Sequence, residues 1–172
     1  SSNFGGTSRL GFHSPHVHTI PIRGRSLRPS AAPAARIASS GTCKYRDSIG
    51  KSSSVVRNRD GSSITSTGDF GVYFELGGSV TNEAGASIVG TTGVFNDWPA
   101  GAGIGTVTNS GTIPGTTGSG VDLENGGVVI NKDGGLITGT VDGVDVWGPG
   151  SSVTNIGGGK IIADPSHNGI WA

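Results

Sequence analysis

Four carboxylates are the residues of this sequence best placed to do chemistry. They lie in three similar segments, Val94-Phe95-Asn96-Asp97, Val121-Asp122-Leu123-Glu124 and Val144-Asp145-Val146-Trp147. Crowded carboxylates raise one another's pKa, so one can act as a general acid while a neighbour acts as a base. Such a set would cleave a polysaccharide through Asp122, Glu124 and Asp145. Carboxylate oxygens also suit Ca²⁺, a hard cation, and Asp97 would then join the other three as a weak ligand.

Aromatic residues accompany these acids and support a third interpretation, a contact surface. The matching or adjoining positions carry Tyr73, Phe95, Trp98 and Trp147. Exposed aromatic rings favour contact with a glycan or a protein, and the acids would keep a Gly-rich surface soluble. This interpretation is favoured for two reasons. A uronate-cleaving site would lack cations, because the repeats contain no arginine beyond Arg57 and Arg59. The GGxGxD signature of calcium-loaded solenoids is also absent.

A repeat positions these residues along the chain. The unit opens with Gly-Val, carries Val-x-Asn in its middle and closes with an isoleucine, and it occurs five times. Its central asparagines are Asn58, Asn82, Asn109, Asn131 and Asn155, which are 24, 27, 22 and 24 positions apart. A period in this range is typical of solenoid proteins.

Each unit contains three strand-like segments and no helical stripe. The opening alternates apolar and polar residues, which predicts a half-buried strand. The inward-facing residues would be Val72, Phe74, Val94, Val121, Leu123, Val144 and Val146, and Asn96 is the polar exception. The other two segments are rich in β-branched residues, and paired glycines between segments suit tight corners. The sequence therefore predicts an all-β fold, a right-handed parallel β-helix of about five coils.

Equivalent residues of a parallel β-helix stack about 4.8 Å apart. One outward column would read Tyr73, Phe95, Asp122, Asp145, Trp171, and its neighbour Glu75, Asp97, Glu124, Trp147. The five asparagines would form a ladder, in which side-chain amides hydrogen-bond from coil to coil. We expect this ladder to be structural, because it recurs in every coil whereas catalysis needs one site.

The chain divides into two parts of opposite charge. Residues 1–60 contain ten Lys or Arg against two acids, a net charge of +8, and residues 61–172 contain two Lys against ten acids, a net charge of −8. Residues 1–48 lack apolar periodicity, so a disordered basic tail is predicted before the repeats at 49–172. Such a tail attracts nucleic acid only non-specifically, and no specific nucleic-acid partner is predicted. The single cysteine, Cys43, excludes an internal disulfide, and no cofactor is predicted.

The repeat resembles the passenger domains of autotransporters in three phrases, SVTNEAGASIVGTTGV, TVTNSGTIPGTTGSGV and SSVTNIGGGKIIA. These domains are the secreted β-helical parts of bacterial type V surface proteins and haemagglutinin-like adhesins. The resemblance covers residues 50–172 and implies a fragment of a longer solenoid, held at the outer membrane and cell surface or secreted. Its partners would be a glycan, a host or cell-surface protein, and the rest of its own chain, including a membrane barrel that these residues do not contain.

The resemblance implies a structural and adhesive role rather than an enzymatic one. The alternative is a carbohydrate-active enzyme with a pectin-lyase-like fold, which would use the stacked carboxylates. No polar caps are evident at Ile64 or Ala172, so both ends of the rod are expected to expose unpaired strands. We therefore expect the chain to be only marginally stable and to associate with other copies of itself.

Overall fold

The computed structural model of the chain describes residues 34–37, 45–47, 54–97 and 103–172. Every regular element in these ranges is a β-strand, and they contain no helix long and apolar enough to cross a membrane. Trp98, one of the predicted contact residues, lies outside the described residues, as does most of the predicted tail.

The strands form three parallel sheets, and each coil contributes one strand to each sheet. The first sheet contains β1 (Ala34–Ile37), β3 (Ser54–Asn58), β6 (Gly78–Asn82), β9 (Gly105–Asn109), β12 (Gly127–Asn131) and β15 (Ser152–Asn155). The second sheet contains β4 (Ser63–Thr65), β7 (Ser87–Val89), β10 (Thr112–Pro114), β13 (Leu136–Thr138) and β16 (Lys160–Ile162). The third sheet contains β2 (Tyr45–Asp47), β5 (Val72–Phe74), β8 (Val94–Asn96), β11 (Val121–Leu123), β14 (Val144–Val146) and β17 (Ile170–Trp171). The predicted all-β parallel β-helix of about five coils is confirmed.

Equivalent residues of successive coils pair directly. Val56 pairs with Val80 and Asn58 with Asn82, and the same register continues through all five Val-x-Asn segments. In the second sheet, Ile137 pairs with Ile113 on one side and with Ile161 on the other. A slip of one residue would turn the buried side chains outward, so the period-two pattern fixes this register. The predicted stacking of like residues is confirmed.

The core is a column of aliphatic residues enclosed by the three sheets. The residues predicted to face inward are all buried, namely Val72, Phe74, Val94, Val121, Leu123, Val144 and Val146. Asn96 pairs with Phe74 and Leu123 and is the one polar residue among them. It is fully buried, and its Nδ2 donates to the Gly103 carbonyl at 3.5 Å.

The predicted asparagine ladder is present along the first sheet. Nδ2 of each asparagine from Asn58 to Asn131 donates to Oδ1 of the asparagine in the next coil, at 2.8 to 2.9 Å. The same nitrogens donate to backbone carbonyls, as Asn131 does to Gly135 at 2.9 Å and to Lys160 at 3.1 Å. The ladder therefore joins consecutive coils through groups that are buried away from water.

Close packing requires the glycine that precedes β5, β8, β11 and β14 in the third sheet. A Cβ atom added to Gly120 would lie 2.5 Å from Cγ2 of Ile137 and 2.7 Å from the carbonyl oxygen of Gly143 in the next coil. Positive φ angles occur instead at the first glycine of the predicted corner pairs, as at Gly126 and Gly134, both at 78°. The Gly-Val opening therefore recurs because neighbouring coils leave no room for a side chain at this corner.

The two ends of the solenoid differ. At the N-terminal end, β1 pairs with β3 and β2 pairs with β5, and Ile64 is fully buried. The expectation of unpaired strands at this end is therefore wrong for the first and third sheets, where the backbone of two segments within residues 1–48 pairs with the first coil. The disorder predicted for the rest of that segment stays a prediction. At the other end, β15, β16 and β17 are the last strands of their sheets, and the exposed side chains include Ile156, Ile162, Ile170 and Trp171.

Candidate functional site

The outward face of the third sheet carries the predicted site residues, and we call it the carboxylate face. The strand register places Tyr73 beside Phe95, Phe95 beside Asp122, Asp122 beside Asp145, and Asp145 beside Trp171. Neighbouring strands lie about 4.8 Å apart, so this column runs along the axis of the solenoid. The order of the column is the one that the sequence predicts.

A second column lies beside the first, at the C-terminal ends of the same strands. The N–H of Glu124 donates to the carbonyl of Asn96 at 3.0 Å, and the N–H of Trp147 donates to the carbonyl of Leu123 at 2.9 Å. Asp97 makes the equivalent bond to the coil before it, also at 2.9 Å. These bonds extend the parallel pairing by one residue, so Asp97, Glu124 and Trp147 stack in the predicted order.

Three aromatic rings stack at the N-terminal side of the acids and form what we call the aromatic trio. The ring of Phe95 lies 4.4 Å from that of Phe70 and 5.8 Å from that of Tyr73, with interplanar angles of 12° and 17°. The Tyr73 hydroxyl donates to Oδ2 of Asp97 at 2.7 Å. The trio therefore joins the aromatic part of the face to its first carboxylate.

Two tryptophans stack at the C-terminal side of the acids and form what we call the tryptophan pair. The rings of Trp147 and Trp171 lie 6.0 Å apart with an interplanar angle of 28°. Each residue is 48% exposed, although both are large and apolar. The acids thus lie between two aromatic surfaces, one of which is open to solvent.

Burial and mutual repulsion raise the pKa of the central acids. Burial, and then the charges of Asp145, Glu124 and Asp142, raise the pKa of Asp122 to about 7. The pKa of Glu124 is raised by burial and by the Asp97 charge. The pKa of Asp145 is raised by burial and by the Asp142 charge, and a hydrogen bond from Trp147 opposes part of this rise. Asp122 therefore holds a proton in a pH range where an ordinary carboxyl is ionised.

Two members of the site escape the sequence analysis. Phe70 completes the aromatic trio, and Asp142 is a buried acid whose Oδ1 accepts the N–H of Asn168 at 2.9 Å. Each lies two residues before the opening valine of its strand, at Val72 and Val144. That shared position is the signal that would have identified both, since the corner residue lies next to the column.

No described cation neutralises the carboxylate face. The ion pairs among the described residues join Arg57 to Glu83 at 2.6 Å and Lys132 to Asp133 at 3.2 Å, and neither pair includes a residue of this face. The backbone register continues the column past Tyr73 to Arg46 of β2. Between the aromatic trio and the tryptophan pair, the face presents negative charge alone.

The carboxylates of the face are spread along the solenoid axis. Within the described ranges, no group of three or more His, Cys, Asp or Glu side chains is arranged to hold a metal ion. The acids instead follow one another along two columns and occupy three successive coils, with Asp122 and Glu124 on the same coil. Calcium binding by Asp97, Asp122, Glu124 and Asp145 stays a prediction.

The arrangement suits contact with a polar ligand that also has apolar surfaces. Aromatic rings offer flat apolar surfaces, and carboxylates accept hydrogen bonds from hydroxyl or ammonium groups.

Asp122 and Asp145 pair on neighbouring strands, which lie about 4.8 Å apart. This is close to the spacing of about 5 to 5.5 Å between the two carboxyl groups of retaining glycosidases.

Comparison of the chain with protein-family models, with curated proteins and with solved structures finds no match to any of the three.

Proposed function

We propose that this chain is a structural and adhesive segment of a bacterial surface protein of the autotransporter passenger type. It would act at the outer membrane and cell surface or in secreted form, as a segment of a longer solenoid whose chain also includes a membrane barrel. Its rigid coils present the carboxylate face for contact with a glycan. The repeat phrases support the type of protein, and the face supports the ligand class.

The exposed tryptophan pair is the observation that carries this proposal. Large apolar residues at the surface of a soluble fold mark contact sites when they are grouped, and Trp147 and Trp171 stack on each other while each remains 48% exposed. A rigid aromatic anchor loses little conformational entropy on binding, and aromatic residues dominate binding energies at many interfaces. The pairing of β14 with β17 places Trp171 beside Asp145, two residues before Trp147, so the two rings stack diagonally across neighbouring coils.

The experiment compares binding of the whole chain and of a double variant to an immobilised neutral oligosaccharide. We expect Trp147→Ala with Trp171→Ala to weaken binding by about tenfold or more, because each lost aromatic anchor costs about 1 kcal/mol or more. Val55→Ala is the matched control, since Val55 is 39% exposed and lies on β3 in the first sheet, away from the face. Undiminished binding by the double variant would remove the tryptophan pair from the contact surface.

A carbohydrate-active enzyme is the second candidate, and one observation favours it. Asp122, whose pKa is raised to about 7, lies in register with Asp145. A protonated Asp122 would donate its proton to the glycosidic oxygen, while Asp145 would attack the anomeric carbon and water would later release the sugar. Glu124 would remain a flanking acid. New reducing ends in the incubated oligosaccharide, lost in Asp122→Asn, would establish this candidate in place of a purely adhesive role.

A further inference from the structure

The charge of the carboxylate face restricts which glycan it accepts. Four acids lie between the aromatic trio and the tryptophan pair, and Asp142 is buried beside them. Apart from Arg46, which the backbone register places beyond Tyr73, the lysines and arginines of the described ranges lie on or next to strands of the first and second sheets, and both ion pairs lie there. A uronate would meet carboxylates without a described counterion, and like charges at contact distance cost several kcal/mol at an interface.

The geometry of the face restricts how the glycan lies. The column passes from Phe95 through Asp122 and Asp145 to Trp171 in three steps of one strand each. At about 4.8 Å per step, these four residues span about 14 Å along the axis. An extended oligosaccharide placed along this line would contact an aromatic ring at each end and carboxylates between them.

We propose that the carboxylate face selects a glycan of amino sugars with free amines, lying along the solenoid axis between the aromatic trio and the tryptophan pair. The inference rests on the proposed function and adds the ligand's charge to it. Ammonium groups of successive sugars would donate hydrogen bonds to Asp122, Glu124 and Asp145. Such charge-assisted bonds are roughly twice as strong as neutral ones. An ammonium over the face of a tryptophan ring gains further cation–π attraction.

Asp145 is an acid of the face whose negative charge the protein satisfies only in part. Oδ1 of Asp145 is buried and has no hydrogen-bond partner in the described part of the chain. Buried carboxylate oxygens are costly to leave without a donor. Asp145 also lies directly between Asp122 and Trp171 in the column, at the centre of the proposed binding line. A sugar ammonium beside the partly exposed carboxyl of Asp145 would stabilise its negative charge, although Oδ1 itself is enclosed by the protein.

The test compares three probes on the whole chain by titration calorimetry: an oligomer of glucosamine, the same oligomer fully N-acetylated, and an oligogalacturonate. The first two share the same sugar backbone and differ at the nitrogen, where acetylation replaces the ammonium charge with a neutral amide. We expect the free-amine oligomer to bind about tenfold tighter than the acetylated one at low salt. The difference should shrink between about 0.1 M and about 1 M salt, since the screening length falls from about 10 Å to about 3 Å.

The outcomes separate this inference from the proposed function. Binding of the free-amine and acetylated oligomers with equal affinity, or tighter binding of the oligogalacturonate, would overturn the inference and leave glycan contact intact. No binding of any oligosaccharide would overturn both. The comparison of the three probes needs no variant, so its result does not depend on how a substituted chain folds.

Two variants then locate the selectivity. Asp122→Asn with Asp145→Asn keeps the shape of both side chains and removes their charge, so the preference for the free amine should fall to nearly none. Asp133→Asn is the matched control, because Asp133 is an exposed acid paired with Lys132 away from the face. Its positive φ of 53° is one that asparagine tolerates. Equal preferences in all three proteins would show that other groups select the amine and would overturn the assignment to this face.

Discussion

Asp122 shows how the stacking of coils changes the chemistry of a single residue. Its strand neighbours are Phe95 on one side and Asp145 on the other. The Phe95 ring therefore shields its carboxyl from water, and the Asp145 carboxylate places a second negative charge beside it. Both effects disfavour the ionised form, and burial is the larger of the two. The pKa of the same residue type at an exposed position, such as Asp164, is lowered instead, because it accepts hydrogen bonds from Ser166.

The raised pKa of Asp122 predicts that the folded state loses stability as the pH rises. The folded chain keeps the proton up to a pKa of about 7, whereas the unfolded chain releases it near the ordinary value of 3.8. The stabilising contribution is therefore complete below pH 3.8 and is lost as the pH rises through 7. Asp122→Asn should raise the free energy of unfolding at pH 8 by about 1 to 2 kcal/mol, a value reduced for the partial exposure of the carboxyl.

Thermal melting between pH 4 and pH 8 measures this effect. The wild-type Tm should fall over the range, and the Asp122→Asn variant should show a smaller fall. Asp133→Asn serves as the control and should follow the wild-type profile, since Asp133 is exposed. An Asp122→Asn profile parallel to that of the wild type would mean that the carboxyl titrates alike in both states.

The asparagine ladder shows what a repeated element adds beyond its single residues. Each Nδ2 donates towards the next coil, so the ladder has a direction that the sequence does not reveal. Its first acceptor, Oδ1 of Asn58, is buried without a donor among the described residues, because its register partner in β1 is Ile37 rather than asparagine. At the far end Asn155 is exposed. An inner asparagine of the ladder therefore hydrogen-bonds to an asparagine in the coil on each side, whereas an asparagine at either end does so on one side only.

Substitution at the inner and outer positions should have unequal effects on stability. Asn109 accepts from Asn82 at 2.8 Å, donates to Asn131 at 2.8 Å, and is fully buried. Asn109→Ala should cost about 3 kcal/mol or more, because it removes these bonds and leaves buried partners unsatisfied. Asn155→Ala should cost about 1 kcal/mol, since it removes one acceptor at the exposed end.

Urea unfolding of the two variants measures this difference. The chemical change is the same in both, so the intrinsic preference of alanine for a strand cancels in the comparison. Equal losses of stability would show that the ladder contributes through each asparagine alone and not through bonds between coils.

The whole molecule is a stack with unlike ends, and this determines its behaviour in solution. The N-terminal coil is covered in two of its three sheets by β1 and β2. The last coil presents the edges of β15, β16 and β17, and it exposes Ile162 and Ile170 by 48% and 45%. Exposed strand edges with apolar side chains are templates for pairing with another chain.

We therefore predict that the chain associates through its C-terminal coil as its concentration rises. Ile162→Lys should shift the molar mass towards the monomer, since lysine on an edge strand opposes pairing. Ile104→Lys is the control, because Ile104 is equally exposed at 50% but lies between β8 and β9, away from the end. Light scattering across a concentration series measures the mass. A chain that stays monomeric throughout would contradict the prediction.

The sequence by itself determined the repeat, the three strands of each coil, the inward residues and the order of both outward columns. It could do so because side chains in a strand alternate with period two and because the register of a parallel stack repeats from coil to coil. Val72 and Val94, or Asn82 and Asn109, meet for that reason alone.

The tertiary structure decided what happens at the corners and the ends. Phe70 and Asp142 reach the carboxylate face because the corners that carry them fold towards it. The spacing between successive ladder asparagines varies from 22 to 27 residues, so the corners differ in length and the sequence does not indicate which way each one folds. The proton affinity of Asp122 depends on burial between coils. The pairing of β1 and β2 with the first coil joins residues that lack the repeat pattern, so only packing in three dimensions reveals it.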